Sequence, residues 1–443
     1  MRILFVDFRI TIMKSSYYNY IFHDGGFAYW YNAMSGCYFR LSSGLSRKVE
    51  YVLLNQIAQI PSLLPEAMIE KLTTNGFILP KEVNELDLLR QKHQDAVHRK
   101  NYFLVILPTL NCNYRCWYCI QKHVPSVMKD DTKAAIMRHL DYMIDVKGIE
   151  SLHLDWFGGE PFMFYQQVIV PISQYAISRC AEKGIPFMNS ATTNGYFLGS
   201  KINSMLAKLK FQQFQITLDG DKRFHDSVKF TKGCTSTFEH VLRNINAILA
   251  AHEGITVFLR INYTHKTLSV NIVDEVNDFI SVCNRSKIVI LPKKVWQEDV
   301  DKSFGATLKS ILDAFSASGY RVSRWSGDTG FISCYVNQEY YNAINFNGHV
   351  VKCTACDDLY ASSPKGILRS DGIIDWQDNY DLKCLTPTFE NERCLKCRKL
   401  PSCMGLCPRD FMAGGSHCKF DAMDEIYEEN LKNYLIHQFD SEG

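Results

Sequence analysis

The chain reads as an α/β protein built on a parallel barrel or part of one, and three observations carry that reading. From residue 102 onward, six short apolar, β-branched runs of the kind found in buried parallel strands follow one another. Helix-length segments separate most of them, as parallel neighbours need in order to cross back over their sheet. At 443 residues and 46% apolar, the chain is also long enough to bury two or three cores.

In chain order, residues 27–31 and 37–41 read as a hairpin joined through Asn32-Ala33-Met34-Ser35-Gly36. Residues 49–57 and 63–74 read as helices before Gly76-Phe77-Ile78, and the charged stretch 82–100 as a solvated helix. The six strands are expected at 102–107, 152–157, 186–192, 214–218, 256–262 and 287–291, with helices at 131–144, 166–181, 202–209, 237–251 and 269–283. The expected domains are therefore 1–81, a helical linker 82–101, a barrel 102–320 and a cysteine-rich region 321–443.

Composition removes several function classes. Net charge is +2 with no long basic run, so the electrostatic footprint of a nucleic-acid binder is missing. No apolar run reaches the roughly eighteen residues of a membrane span. Asp7, Arg9 and Lys14 interrupt the apolar N-terminus and no small-residue cleavage site follows, so a cytoplasmic protein is expected. Sixteen cysteines in a reducing compartment point to metal rather than to disulfides.

The cysteines are patterned. Cys112, Cys116 and Cys119 form a Cys-x3-Cys-x2-Cys stretch just after the first barrel strand. Three thiolates are one fewer than an iron–sulfur cube needs for full ligation, so one iron stays open to a small molecule. With Tyr118 just before the third cysteine, this segment closely resembles the cluster motif of the radical S-adenosylmethionine (SAM) enzymes. The resemblance implies a partial (β/α)6 barrel, a 4Fe–4S cluster whose open iron chelates SAM, and hydrogen abstraction by a 5′-deoxyadenosyl radical. A zinc knuckle is the bland rival, but no histidine completes a four-ligand set here.

A second cysteine field follows. Cys334-x13-Gly348-x4-Cys353, then Cys394-x2-Cys397-x5-Cys403-x3-Cys407, then Cys418, resembles the SPASM extension of radical SAM enzymes at all seven positions. That resemblance implies two auxiliary 4Fe–4S clusters, three clusters in all. Cys334, Cys353 and Cys407 would serve the first, one ligand short, and Cys394, Cys397, Cys403 and Cys418 the second. Cys356 or Cys384 could supply the missing ligand, or that iron stays open. Zinc bound by Cys394, Cys397, Cys403 and Cys407 is the alternative.

Other motifs fall where strand ends would line a barrel mouth. Gly158-Gly159-Glu160-Pro161 ends the second strand, with glycines that let backbone approach a ligand and a carboxylate that can accept from an ammonium. It resembles the family motif that binds the amino group of SAM. Thr193-Asn194-Gly195 and Thr217-Leu218-Asp219-Gly220 resemble two further SAM-pocket segments, Thr217 standing where serine is usual, and Arg260-Ile261-Asn262 resembles a third. For Asn194, Asp219 and Arg260, turn and structural roles weigh equally. Tyr263 and Asp219 are the only acid–base candidates, and no catalytic residue is assigned.

The N-terminal region resembles the winged-helix-like recognition domain of peptide-maturing relatives, where a leader peptide adds as a strand; a structural cap is the alternative. The resemblance as a whole implies maturation of a ribosomally made precursor peptide, by a crosslink or an oxidation, with an electron donor such as flavodoxin or ferredoxin. Formylglycine formation is the runner-up, but Thr354 stands where those enzymes carry Asp. A non-catalytic iron–sulfur peptide binder is the rival from another class.

Overall fold

The structure is a computed structural model that describes residues 12–55, 63–298, 304–323, 330–355, 357–385, 388–412, 414–415, 418 and 424–440. Asp7, Arg9, Ile57 and Cys356 lie outside the described residues. The chain divides into two compact units: Met1–Arg99, Arg324–Glu339 and Lys383–Gly443 form one, Lys100–Ser323 and Tyr340–Leu382 the other. No described helix is long and apolar enough to cross a membrane.

In the first unit β1 (Met13–Ser15) pairs with β5 (Ile78–Pro80), and β2 (Asn19–Asp24), β3 (Phe27–Asn32) and β4 (Tyr38–Ser42) form an antiparallel sheet. The β3–β4 hairpin is the one the sequence predicts; β2 is an addition. One face of this sheet packs Trp30 against Phe39 and Phe77, and Trp30 Nε1 donates to the buried Ser46 Oγ at 2.8 Å. That bond spares the indole N–H from being buried unpaired. The helices Ser43–Asn55 and Glu66–Thr74 complete this core with Val49, Leu53, Ile69 and Leu72. On the other side Tyr18, Tyr20, Tyr29 and Tyr31 pack with Leu400, Met404 and Tyr427, Leu431 and Leu435 of the helix Asp424–Asp440.

The second unit holds the expected partial barrel. Strands β6 (Asn101–Leu107), β7 (Ser151–Trp156), β8 (Phe187–Thr193), β9 (Phe211–Asp219), β10 (Thr256–Tyr263) and β11 (Ile288–Lys294) pair in sequence order, all parallel. The short β12 (Arg321–Val322) extends one side in parallel and β13 (Tyr341–Asn345) the other. From β13 the sheet continues antiparallel through β14 (His349–Val351), β15 (Gly366–Leu368) and β16 (Ile374–Trp376). Leu104, Leu154, Trp156, Phe214, Ile216, Leu259 and Ile290 point outward into the covering helices. The helix Thr237–Ala251 lies where expected, begun by Ser236, whose Oγ accepts from Glu239 N–H.

Two helices differ from expectation. The one expected at 202–209 closes after a single turn, Ser200–Asn203. Ser204 Oγ donates back to Lys201 O, a side-chain bond that competes with continuing the helix. The one expected at 269–283 splits into Ile272–Asn277 and Val282–Arg285 around the extended Ser281.

A buried chain of hydrogen bonds fixes β6 to its neighbours. His139 Nδ1 donates to Gly372 O at 2.7 Å, leaving Nε2 to accept from Tyr102 OH at 2.6 Å, which itself accepts from Asn342 Nδ2. Burial pushes the His139 imidazole down to about 4. Between that value and the unfolded value of about 6.5, the unfolded chain holds more protons, so stability falls as pH drops through this window. The advantage of the protein over a His139→Gln variant in denaturant melts is expected to shrink by on the order of 3 kcal/mol from pH ~6.5 to ~4. A pH-independent gap would show that His139 charges freely in the fold.

Candidate active site at the mouth of the sheet

The loop after β6 carries Cys112, Cys116 and Cys119, and local bonds shape it before any metal arrives. Thr109 Oγ1 donates to Ser126 O at 2.6 Å, Ser126 Oγ accepts from Leu110 N–H at 2.9 Å, and Asn111 Oδ1 accepts from Cys112 N–H at 3.0 Å. Cys119 N–H donates to Cys116 O at 3.1 Å. Burial pushes the Cys112 thiol up to about 12, helped by the nearby Glu160, and raises Cys116 and Cys119 as well.

The Gly158-Gly159-Glu160 strip is laced to that loop by backbone bonds. Gly159 N–H donates to Thr109 O at 3.0 Å and Glu160 N–H to Asn111 O at 2.8 Å. The approach is so close that a Cβ on Gly159 would sit 2.0 Å from Asn111 O, and one on Gly158, at φ 121°, 2.4 Å from Thr109 O. Glu160 is fully buried and accepts from Phe162 N–H at 3.0 Å, Asn194 N–H at 2.9 Å and Thr193 Oγ1 at 2.8 Å. A carboxylate offers about four acceptor positions, so three donors leave room for one more. Burial holds its carboxyl up at about 7. Asn194 Nδ2 in turn donates to Asn113 Oδ1 at 2.8 Å and lies 3.8 Å from Cys112 Sγ.

The opposite side of the mouth is built on β9 and β10. Tyr118 OH donates to Asp219 Oδ1, which also lies 3.5 Å from the buried ammonium of Lys229. Lys229 Nζ donates to Thr217 O at 2.7 Å, and Arg260 Nε to Asn262 Oδ1 at 2.8 Å. Asn113, Glu160, Asn194, Thr217 and Asp219 thus belong to one connected end of the sheet, while Tyr263 packs against Phe304. Buried polar atoms are left unpartnered at this end, among them Asn113 Nδ2, Gln121 Nε2 and Asp219 Oδ2. Buried groups are ordinarily bonded, so these vacancies fit a polar ligand lying among them. Among the described residues no three His, Cys, Asp or Glu side chains converge as one ion would require. The donor set of thiols on an open loop suits an iron–sulfur cluster, spread over several atoms, better than zinc.

One polar cluster of the sheet's interior was missed in the sequence. His153 and Asp155 of β7 share the interior face with Ser190 of β8. Ser190 Oγ donates to Asp155 Oδ1 and accepts from His153 Nε2 at 2.7 Å. Burial raises the Asp155 carboxyl to about 6 and lowers His153 to about 4. Asp155 can therefore hold or release a proton near neutral pH. The signal was there: in Leu152-His153-Leu154-Asp155-Trp156 the polar residues alternate with apolar ones, placing both inside.

In the first unit, Cys397, Cys403 and Cys418 lie near enough to Cys394 for their thiols to act on it. Burial raises the Cys394 thiol to about 11, and the thiols of Cys403, Cys397 and Cys418 add to that rise. Asn391 caps the turn that bears Cys394, and Met404 at φ 50° and Gly405 at φ 96° turn the chain after Cys403. Cys334 opens the turn Tyr335–Asn337 and Cys407 precedes the helix Pro408–Met412, both in this unit; Cys353 is buried in the second.

Residues 106–267 match the model of the Radical SAM superfamily. Among solved structures, native anSMEcpe with bound AdoMet and Cp18Cys peptide is 17% identical, with 77% of this chain and 99% of that one covered at a TM-score of 0.54. SuiB of Streptococcus suis bound to precursor peptide SuiA is 15% identical, with 93% and 99% covered at a TM-score of 0.50. At such identities the likeness speaks for the fold.

Proposed function

We propose that this chain, whose residues 106–267 match the Radical SAM superfamily model, is a radical SAM enzyme that matures a ribosomally made precursor peptide. The observation that carries the reading is the mouth of the sheet, where a three-cysteine loop is bonded to Gly159 and Glu160 beside unpartnered polar atoms. When bound, the cluster and SAM supply a 5′-deoxyadenosyl radical that takes a hydrogen atom from the peptide. Cys112, Cys116 and Cys119 would hold that cluster. Gly158 and Gly159 bring backbone close, Glu160 has one acceptor position left for the ammonium of SAM, and Asn194 and Thr217 border the same pocket. Asp155 offers a place for a proton released as a thioether or carbon–carbon crosslink, or an oxidised residue, forms. The auxiliary cysteines would hold two further clusters that carry the electron, supplied and withdrawn through a donor such as flavodoxin or ferredoxin.

Two further features support a peptide as substrate. The sheet β2–β3–β4 presents edge strands of the kind to which a leader can add. Two solved structures of like fold are named with peptides bound. Thr354, standing in place of an aspartate, weighs against formylglycine formation, and the intact cysteine set weighs against a non-catalytic binder. The test is anaerobic: reconstituted protein with SAM and dithionite should yield 5′-deoxyadenosine, and a short peptide encoded beside this gene should lose two hydrogens in mass. Deoxyadenosine without any change in that peptide would defeat the peptide reading and leave the radical chemistry standing.

A further inference from the structure

The interior face of β10 and β11 carries positive charge that the rest of the site does not answer. Along these strands Leu259, Ile261 and Ile290 face the helices and are all but fully buried. Phe258, Arg260 and Leu291 alternate with them, face inward and keep part of their surface open, so the sheet encloses a hollow here. Arg260 stands opposite Leu291 and Lys293 opposite Asn262, which places the two cations one step apart on the same face. Burial and then the neighbouring Arg260 lower the Lys293 ammonium from its ordinary value, and burial lowers the Arg260 guanidinium as well. Among the described residues, neither cation has a carboxylate within ion-pair distance. Arg260 Nε donates to Asn262 Oδ1 at 2.8 Å, a neutral partner. The carboxylates of this unit nearest in the sheet are engaged elsewhere: Asp219 by Tyr118 and Lys229, Asp155 by Ser190, and Glu298 by His265 at 3.7 Å.

Two cations drawn together in a partly buried hollow repel each other until an anion joins them. We propose that Arg260 and Lys293 bind a carboxylate of the precursor peptide, an Asp or Glu side chain or the C-terminus, and so set which stretch of the peptide lies at the mouth. This assignment rests on the peptide reading given above. The carboxylate of SAM is the competing guest, but it shares a carbon with the ammonium that Glu160 would take. It therefore stays on the Glu160 side, where Lys229 is the cation that acts on Glu160, Cys116 and Cys119. The pair on β10 and β11 is left for the substrate. The planar guanidinium can take both oxygens of a carboxylate, while the ammonium adds a point charge. A neutral amide in the same place offers one acceptor oxygen and turns its own N–H donors toward the cations, so the site rejects it.

The experiment uses the full chain, reconstituted anaerobically and given SAM, dithionite and the short peptide encoded beside this gene. Each Asp and Glu of that peptide is changed in turn to its amide, and one further peptide carries an amidated C-terminus. One of these peptides should lose on the order of tenfold in kcat/KM, chiefly through KM, and which one it is tells side chain from terminus. Affinities of the same peptides for the chain, measured by titration calorimetry, should fall in step. In the double variant Arg260→Gln, Lys293→Gln the preference for acid over amide should fall to near one. Equal turnover of every amide peptide by the unaltered chain overturns the proposal, and that result stands even if the double variant fails to fold. Full preference retained in the double variant overturns it too, and a raised KM for SAM alongside would give the cations to SAM. A peptide that stays unmodified while deoxyadenosine forms defeats the peptide reading itself. Failure of the present assignment instead leaves a modified peptide indifferent to its acids, so the two are told apart.

Discussion

A Cys116→Ala variant, reconstituted without oxygen and given SAM and dithionite, will form no detectable 5′-deoxyadenosine and will drop from about twelve to about eight irons per chain. Cys116 is the middle cysteine of the loop after β6, and its carbonyl accepts the Cys119 N–H. Removing its sulfur leaves two thiols for the cube but preserves the backbone bonds that shape the loop, so the rest of the fold should persist. Iron and deoxyadenosine are to be counted on the same preparation. Deoxyadenosine at the unaltered rate would place the radical chemistry away from this loop.

Gly159→Ala is expected to abolish the same chemistry without touching a ligand. The added Cβ would fall 2.0 Å from Asn111 O and 2.7 Å from Leu110 C, both backbone atoms that no rotamer change can move. Relief means pushing the cysteine loop off β7's extension, at a cost of more than about 3 kcal/mol locally. The variant should lose about four irons and all SAM cleavage, yet keep its auxiliary iron. Gly199→Ala is the matched control, since nothing lies within 4 Å of a Cβ there. Full radical-site iron in Gly159→Ala would show that the strip tolerates a gap from the loop.

The barrel was legible because its signal is local. Strands β6 to β11 carry apolar, β-branched residues on the face that the helices cover, and the expected bounds fall within a few residues of those observed. Strand β2, Asn19–Asp24, escaped because polar residues stand at both of its ends, and its pairing with β3 supplies what its own sequence does not. The helix expected at 202–209 was overread because apolar periodicity says nothing of Ser204 Oγ bonding back to Lys201 O. At the mouth, the cysteine and glycine motifs were readable from spacing. The partners of Glu160 were not, since Thr193 and Asn194 reach it only across the β7–β8 pairing, and neither was the Ser190 link between His153 and Asp155, which needs the strand register.

The core of the first unit joins the two ends of the chain. Tyr20 lies 6.1 Å from Tyr427, ring to ring, Arg398 stacks 4.4 Å over Tyr20 and donates to Asn19 O, and Lys432 pairs with Asp24 at 2.8 Å. During synthesis the tyrosine face of β2 and β3 therefore leaves the ribosome long before the residues that cover it exist. Local pairing can form the small sheet early, but its exposed aromatic side must wait for the last helix to emerge. Nascent chains stalled short of that helix are where a chaperone would be needed most, and the N-terminal sheet cannot be lifted out as an independent module without baring that face.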